Sequence, residues 1–354
     1  MLRDLLSKDK TMLQIKKEGI VLEKRDLGFE KEGVLNPAVF FEAGRIHLFY
    51  RAVGKGNYST IGYCTMDSNQ ELKSRLDLPL IYPQFDYEKQ GVEDPRIVKI
   101  EDLYYLTYTA NDGLNAMGAL ATSRDLINWE KRGLIVPQYS YEEFKHLAET
   151  QGELNEKYFR FNGKYTLPKK LGKKVLLWDK NVILFPRRIN GKLYFLHRIK
   201  PDIQIVSIFD LSELTHTFWD NFFLQFKDSI LISPKYEHEV SYVGGGCPPI
   251  ETEIGWLLIY HGVHDTVDGY VYNACACLLD IDNPNKEIAR LPYPLFGPEL
   301  EWELNGVVNN VCFPTGAIVN EDTLFIYYGA ADEHIACASM KLSELLSELQ
   351  LNLV

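Results

Sequence analysis

Apolar and polar residues alternate along most of this chain with a period near two, the spacing of strands whose faces differ in burial. The alternation recurs in a fixed arrangement. Five segments share it: LNPAVFFEAGRIHLFYRAVG from residue 35, EDPRIVKIEDLYYLTYTAND from 93, LFPRRINGKLYFLHRIKPDI from 184, CPPIETEIGWLLIYHGVHDT from 247 and CFPTGAIVNEDTLFIYYGAA from 312. Each reads as a proline, a short apolar strand, a polar turn and a second strand. The prolines are Pro37, Pro95, Pro186, Pro249 and Pro314, separated by 58, 91, 63 and 65 residues. The second strands end in polar or aromatic clusters: Tyr50-Arg51, Tyr108, His197-Arg198, Tyr260-His261 and Tyr327-Tyr328. A further strand of small and apolar residues follows each hairpin (TIGYCTM, MGALATS, IQIVSIFD, VYNACACLLD, HIACASM). Two hairpins per period predict a four-stranded sheet, and five periods predict an all-β, five-bladed β-propeller with short terminal helices, one domain over residues 1–354. A β-sandwich is the competing architecture, but it does not require five matched openings.

Two pieces depart from the repeat. Residues 1–19 carry Leu2, Leu5, Leu6 and Met12 at a spacing that suits a short surface helix, and such an exposed helix could support a homo-oligomer contact. Residues 137–175 form a long polar excursion that accounts for the separation of 91, and loops of that length commonly serve function or act as lids. Its Lys169, Lys170, Lys173 and Lys174 read as a solvated surface. The tail SMKLSELLSELQLNL has leucines at helical spacing and is expected to pack on the outside.

Composition narrows the function. The chain has 354 residues, 46% of them hydrophobic, enough for a sizeable core. A net charge of -11 without a basic run argues against nucleic-acid partners. No apolar run reaches the roughly 20 residues of a membrane helix, and the charged N-terminus is unlike a signal peptide, so a cytoplasmic chain is expected. Cys64, Cys247, Cys275, Cys277, Cys312 and Cys337 show no paired C-x-x-C spacing, and the eight histidines form no zinc motif. Buried thiols, no metal and no cofactor are the expectation.

In a propeller the first strand of each blade lines the central channel, so residues beside the five prolines gather there. Asn36, Glu93, Asp94, Arg96, Lys180, Pro248 and Asn309 would meet Arg51, His197, Arg198, Tyr260, His261 and Asp332 from neighbouring strands. Burying so many charges costs several kcal/mol per ion unless they are paired. The simpler alternative is that Asp94 and Arg96 only cap a turn. Glycosidic cleavage needs an acid for the departing oxygen and an attacker on the opposite sugar face. Asp94 beside Glu93 suits the acid, since burial and a like charge raise a carboxyl pKa. Lys180, Arg198 and His197 suit an oxyanion such as phosphate, which could replace the attacking water.

The segments GVEDPRI, KNVILFPRRINGKLYFLHRIKPDIQI, GGGCPPIETEIGWLLIYHGV and FPTGAI…LFIYYGAAD resemble glycoside hydrolase family 130, the β-mannoside phosphorylases and related β-mannosidases, over about residues 30–340. The resemblance implies a five-bladed propeller and an inverting phosphorolysis: phosphate attacks the anomeric carbon of a terminal β-mannose in a manno-oligosaccharide, giving mannose 1-phosphate. It places the general acid on Asp94, acting through a substrate hydroxyl. Asn36, Arg51 and Asp332 would hold the terminal sugar, with Glu93 and Arg96 beside them, Arg96 orienting Asp94. Lys180 and Arg198, with His197, Tyr260 and His261, would face inorganic phosphate, the co-substrate. Two departures are FPRRINGK, which lacks an acidic-basic pair after FP, and Cys247 in GGGCPPI. In the hydrolases of this family the phosphate-facing cations are lost and glutamates act as base; Glu239 keeps that reading open. A non-catalytic carbohydrate-binding propeller would use the 12% aromatic residues for stacking but needs no acid. A protein-interaction propeller would carry its charges on the outer face.

Overall fold

The computed structural model describes residues 13–160, 172 and 174–354. The predicted hairpins fold into five antiparallel four-stranded units. The first comprises Gly33–Glu42, Arg45–Gly54, Tyr58–Asp67 and Leu72–Arg75. The second comprises Gly91–Ile100, Leu103–Asn111, Ala116–Ser123 and Trp129–Leu134. Lys180–Leu184, Leu193–Arg198, Ile203–Ile208 and Ile230–Ile232 form the third. The fourth is Tyr242–Gly245, Gly255–Thr266, Gly269–Leu279 and Glu287–Arg290, with Ile250–Thr252 added on the second strand. The fifth is Cys312–Asn320, Thr323–Ala330, His334–Lys341 and Lys16–Leu22. Among the described residues a single parallel bridge, Ser59 to Gly91, joins the first two units, and no sheet closes on itself.

Each apolar cluster sits between two successive units. Phe49 and Ile61 meet Val92 and Leu106; Leu120 meets Phe195 and Val206; Leu196 meets Val243 and Leu258; Ala276 meets Ile326 and Ala338; Tyr327 and Ile335 meet Val39 and Leu48. The fifth cluster brings the last unit against the first. The first strands are buried along most of their length, whereas the outermost strands, such as Leu72–Arg75, are largely exposed.

Three expectations change. Lys16–Leu22 is a strand, not the end of a surface helix. It pairs antiparallel with His334–Lys341, and its exposure alternates residue by residue. Edge pairing of this kind satisfies backbone groups that an isolated short helix would leave in water. Residues 1–12 lie outside the described residues. The 137–175 excursion contributes a helix, Tyr141–Ala148, capped by Ser140 and packed through Phe144 against Phe223 and Phe226 of the helical segment that follows Thr215. Lys169, Lys170 and Lys173 of the lysine cluster are outside the described residues. Finally, Pro37, Pro95 and Pro314 lie within first strands, but Pro186 follows Leu184 and Pro249 precedes Ile250, so the proline pattern tracks the repeat in only three units. The tail folds as the helix Leu342–Gln350 and buries Leu345 and Leu349, as its spacing predicts.

Candidate active site

Strand alternation decides which side chains face the cavity. In the first unit Tyr50 donates its hydroxyl to fully buried Glu30 at 2.8 Å, and Arg75 binds the same oxygen at 2.8 Å. The arrangement recurs: Tyr108 with Glu88 and Lys131, Tyr260 with Glu239 and Arg290, Tyr328 with Glu303 and Lys17. Each tyrosine lies on the outward side of its second strand. The next residue along, Arg51 after Tyr50 and His261 after Tyr260, therefore turns to the opposite face.

Tyr260 is thus not a cavity residue: its ring is fully buried and its hydroxyl bonds Glu239 Oε2 at 3.0 Å. His197 occupies the same outward position in the third unit. Its Nδ1 lies 2.8 Å from both oxygens of buried Asp179, and its ring packs against Trp219 and Phe222. Glu239 is no rim carboxylate either. It accepts from Tyr260, Arg290 and the backbone N–H groups of Lys235 and Tyr236. Glu239→Ala strands Arg290 beside a void, and loss of a buried pair costs about 3–5 kcal/mol. Urea melts of the variant are expected to show that loss, while turnover per folded molecule stays near wild type; a normal melt with abolished turnover would contradict this assignment.

The inward residues meet at a cavity of about 250 Å³, lined by Asn36, Arg51, Asp94, Trp178, Lys180, Arg198, Lys200, Tyr242, Tyr272, Val308, Val311, Phe313 and Asp332. Asp94 sits at a β-bulge between Glu93 and Arg96, with φ of 49°, and Asn36 sits at the matching bulge of the first unit with φ of 48°. Such left-handed, non-glycine residues are strained, and bulges re-aim side chains. Here they point Asn36 Nδ2 at Asp94 Oδ1, 2.8 Å away. Gly329 makes room: a Cβ there would lie 2.0 Å from Asn36 Oδ1.

Arg51 bridges the two acids, with Nη1 3.5 Å from Asp94 Oδ1 and Nη2 3.1 Å from Glu93 Oε1; Asn111 also donates to Glu93 at 2.9 Å. Glu93 therefore anchors Arg51 from behind the cavity wall. Arg96 is buried below it, donating to the carbonyls of Asp94 at 2.9 Å, Pro95 at 3.1 Å and Gly246. It ties the second unit to the fourth and fixes the Asp94 backbone. His261 lies just behind the lining. Its Nε2 is 3.2 Å from Arg198 Nη1, its ring packs tilted against Phe313 with centroids 4.4 Å apart, and Gly244 leaves it space. Burial, together with Arg198, Arg96, Lys200 and Lys180, holds the His261 pKa well below the usual range, so the neutral ring accepts from Arg198.

The two lining carboxyls are pushed apart. Burial alone would raise Asp94, but Arg51, Lys180, the Asn36 hydrogen bond and Arg96 prevail and hold it at about 2. This corrects the expectation of an acid raised by Glu93: the cations outweigh both the neighbouring charge and desolvation. Asp332 is the carboxyl that rises, to about 6, because burial and the Asp94 charge outweigh Arg51. Burial lowers Lys180 and Arg198.

The Asp332 shift has a stability consequence. Its carboxyl binds a proton more tightly when folded, at about 6 against an ordinary 3.8, so the stabilisation is present below about pH 4 and is lost as pH rises through 6. Asp332→Asn removes the cost of ionisation. Denaturant melts are expected to show the variant more stable by about 1–3 kcal/mol at neutral pH, with the gain gone near pH 4. A gain of equal size at both pH values would contradict the shift.

Lys200, Trp178, Tyr242, Tyr272, Phe313, Val308 and Val311 escaped the sequence reading. Lys200 had a signal, lying two residues after Arg198 on the same side. The tyrosines had none, because they meet only across strands: Tyr242 and Tyr272 both pair with Val263 from opposite sides, and their hydroxyls are 2.5 Å apart.

A mostly β scaffold with a strained carboxylate and a bank of cations around one sugar-sized cavity defines an enzyme acting on glycosides. A family model described as beta-1,4-mannooligosaccharide phosphorylase matches residues 20–351. The chain belongs to that family, glycoside hydrolase family 130. It is 32% identical to a 1,2-beta-oligomannan phosphorylase of Thermoanaerobacter sp. (strain X514), over 92% of this chain and 96% of that protein. It is 33% identical to a beta-1,2-mannobiose phosphorylase of the same strain, over 88% and 90%. The structure of beta-1,2-mannobiose phosphorylase from Listeria innocua in complex with beta-1,2-mannobiose aligns with a TM-score of 0.71 at 25% identity, covering 96% of this chain and all of that one.

Proposed function

We propose that this chain is an inverting β-mannoside phosphorylase built as a five-bladed β-propeller, and that its substrate is a β-1,2-linked manno-oligosaccharide. The five units, the interleaved apolar clusters and the contact between last and first unit support the propeller. The linkage is supported by the activities of the relatives that align over most of their length. One observation carries the phosphorolytic reading. Arg198 is buried and Lys180 half-buried at the cavity, and neither has an ion pair among the described residues. Four cations line the cavity against two carboxylates. Buried cations of this kind call for an anion, and inorganic phosphate is the anion whose attack cleaves a glycoside.

In this scheme Asn36, Arg51 and Asp332 hold the terminal mannose, and Glu93 and Arg96 position Arg51 and Asp94. Lys180, Arg198 and Lys200 bind phosphate, with His261 orienting Arg198. A phosphate oxygen bonds to the anomeric carbon as the glycosidic C–O bond breaks, and the departing oxygen takes a proton originating on Asp94 through a substrate hydroxyl. Free Asp94 is ionised. Phosphate charge beside Lys180 and Arg198 offsets the field that lowers its pKa, so anion binding prepares the acid.

The test is incubation with β-1,2-mannobiose, with and without phosphate. Phosphate-dependent α-mannose 1-phosphate is expected. Free mannose at a phosphate-independent rate would overturn the proposal in favour of hydrolysis, and loss of both products would overturn the substrate assignment.

A further inference from the structure

The cations of the cavity donate hydrogen bonds and accept none, whereas hydrogen phosphate brings three bare oxygens and one P–OH that needs an acceptor. Lys180, Arg198 and Lys200 suit the three bare oxygens but leave the P–OH unmatched. His261 cannot serve, because its Nε2 faces Arg198 Nη1. Asp94 Oδ1 already accepts from Asn36 and Arg51. Asp332 is committed to the terminal mannose in the proposed scheme, and the group that packs against Lys200 and Arg198 is the tyrosine pair. Lys200 Nζ lies 3.5 Å from the centre of the Tyr242 ring, and the Arg198 guanidinium lies 5.4 Å from it. The rings reach over Val263 from the two flanking strands, and Tyr242 Oη and Tyr272 Oη share one hydrogen across 2.5 Å. Two hydroxyls joined in this way have one outer hydrogen to donate and lone pairs to accept. Burial raises the pKa of both, so both stay protonated.

We propose that the Tyr242–Tyr272 hydroxyl pair selects phosphate over sulfate by accepting the hydrogen of the P–OH group. Sulfate has the same shape and charge but no hydrogen to give, so it gains nothing from the acceptor. The inference rests on the phosphorylase reading and assigns the source of its anion specificity. Neither tyrosine handles the proton that reaches the leaving sugar; the pair positions the attacking anion.

The experiment is isothermal titration calorimetry of the full chain with inorganic phosphate and with sulfate, in mildly alkaline buffer where phosphate keeps one hydrogen. Wild type, Tyr242→Phe and Tyr272→Phe are compared, each with its melting temperature; both variants keep the aromatic ring, so either can stand if the other fails to fold. Wild type is expected to bind phosphate more tightly than sulfate. Each variant is expected to lose about three- to tenfold in phosphate affinity and less than about twofold in sulfate affinity, the scale of one neutral hydrogen bond. Equal losses for the two anions, or none, would overturn the assignment while leaving the phosphorylase reading intact. A wild-type protein that binds no phosphate and releases free mannose would overturn that reading, and the tyrosine assignment with it.

Discussion

Asp94→Asn is expected to lower phosphorolysis of β-1,2-mannobiose by about a hundred- to ten-thousandfold, the range spanned by loss of a positioned general acid. The carboxamide has the size of the carboxyl and keeps an oxygen for Asn36 Nδ2, now 2.8 Å from Asp94 Oδ1. It cannot supply the proton. The fold is expected to persist, because Arg51 retains Glu93 at 3.1 Å and the Arg96 bonds go to main-chain carbonyls. Initial rates of mannose 1-phosphate release, set beside calorimetric binding of mannobiose, separate catalysis from recognition. Retention of more than about a tenth of the rate would place the acid elsewhere, and binding without turnover even in the wild type would favour a lectin.

The second large effect belongs to Arg198. Arg198 is 5% exposed, and its guanidinium touches His261 at 3.2 Å and lies over the Tyr242 ring, with no carboxylate partner among the described residues. Arg198→Ala is expected to reduce kcat/KM for phosphate by about 30- to 1000-fold, as removal of a desolvated charge contact costs 2–5 kcal/mol. Mannobiose affinity measured without phosphate is expected to change little. Arg198→Lys restores only part of the loss, since an ammonium lacks the planar fork that grips two oxygens. A hydrolase would be indifferent to these changes at any phosphate concentration. Equal damage to mannobiose binding would show that Arg198 belongs to the sugar site instead.

Much of the fold was readable before the structure, because a strand buried on one or both faces leaves a local imprint. Five hairpins, the four-stranded unit and the helical tail each follow from spacing within some sixty residues. The N-terminus misled for a physical reason. Leu2, Leu5, Leu6 and Met12, which lie outside the described residues, suggest a helix reaching residue 19, yet Lys16–Leu22 pairs with an edge more than 300 residues away. The site divides along the same line. Asn36, Asp94, Arg51 and Lys180 announce themselves in compact motifs. Tyr260 and His197 stand in equally conspicuous clusters but turn outward to Glu239 and Asp179, since neighbours on a strand face opposite ways. The buried glutamates do leave a signal in the sequence: they precede their tyrosines by 20, 20, 21 and 25 residues.

By itself, then, the sequence determined the strand-rich units, their number and the motif that holds the acid, all properties of residues close together along the chain. The tertiary structure alone decided which member of each pair faces the cavity and that Lys200, Tyr242 and Tyr272 complete its cationic end. It also decided that Asp94 is lowered while Asp332 is raised. A carboxyl's proton affinity depends on the balance of desolvation and charge within a few ångströms, and here those charges come from strands as distant as residues 51, 180 and 198.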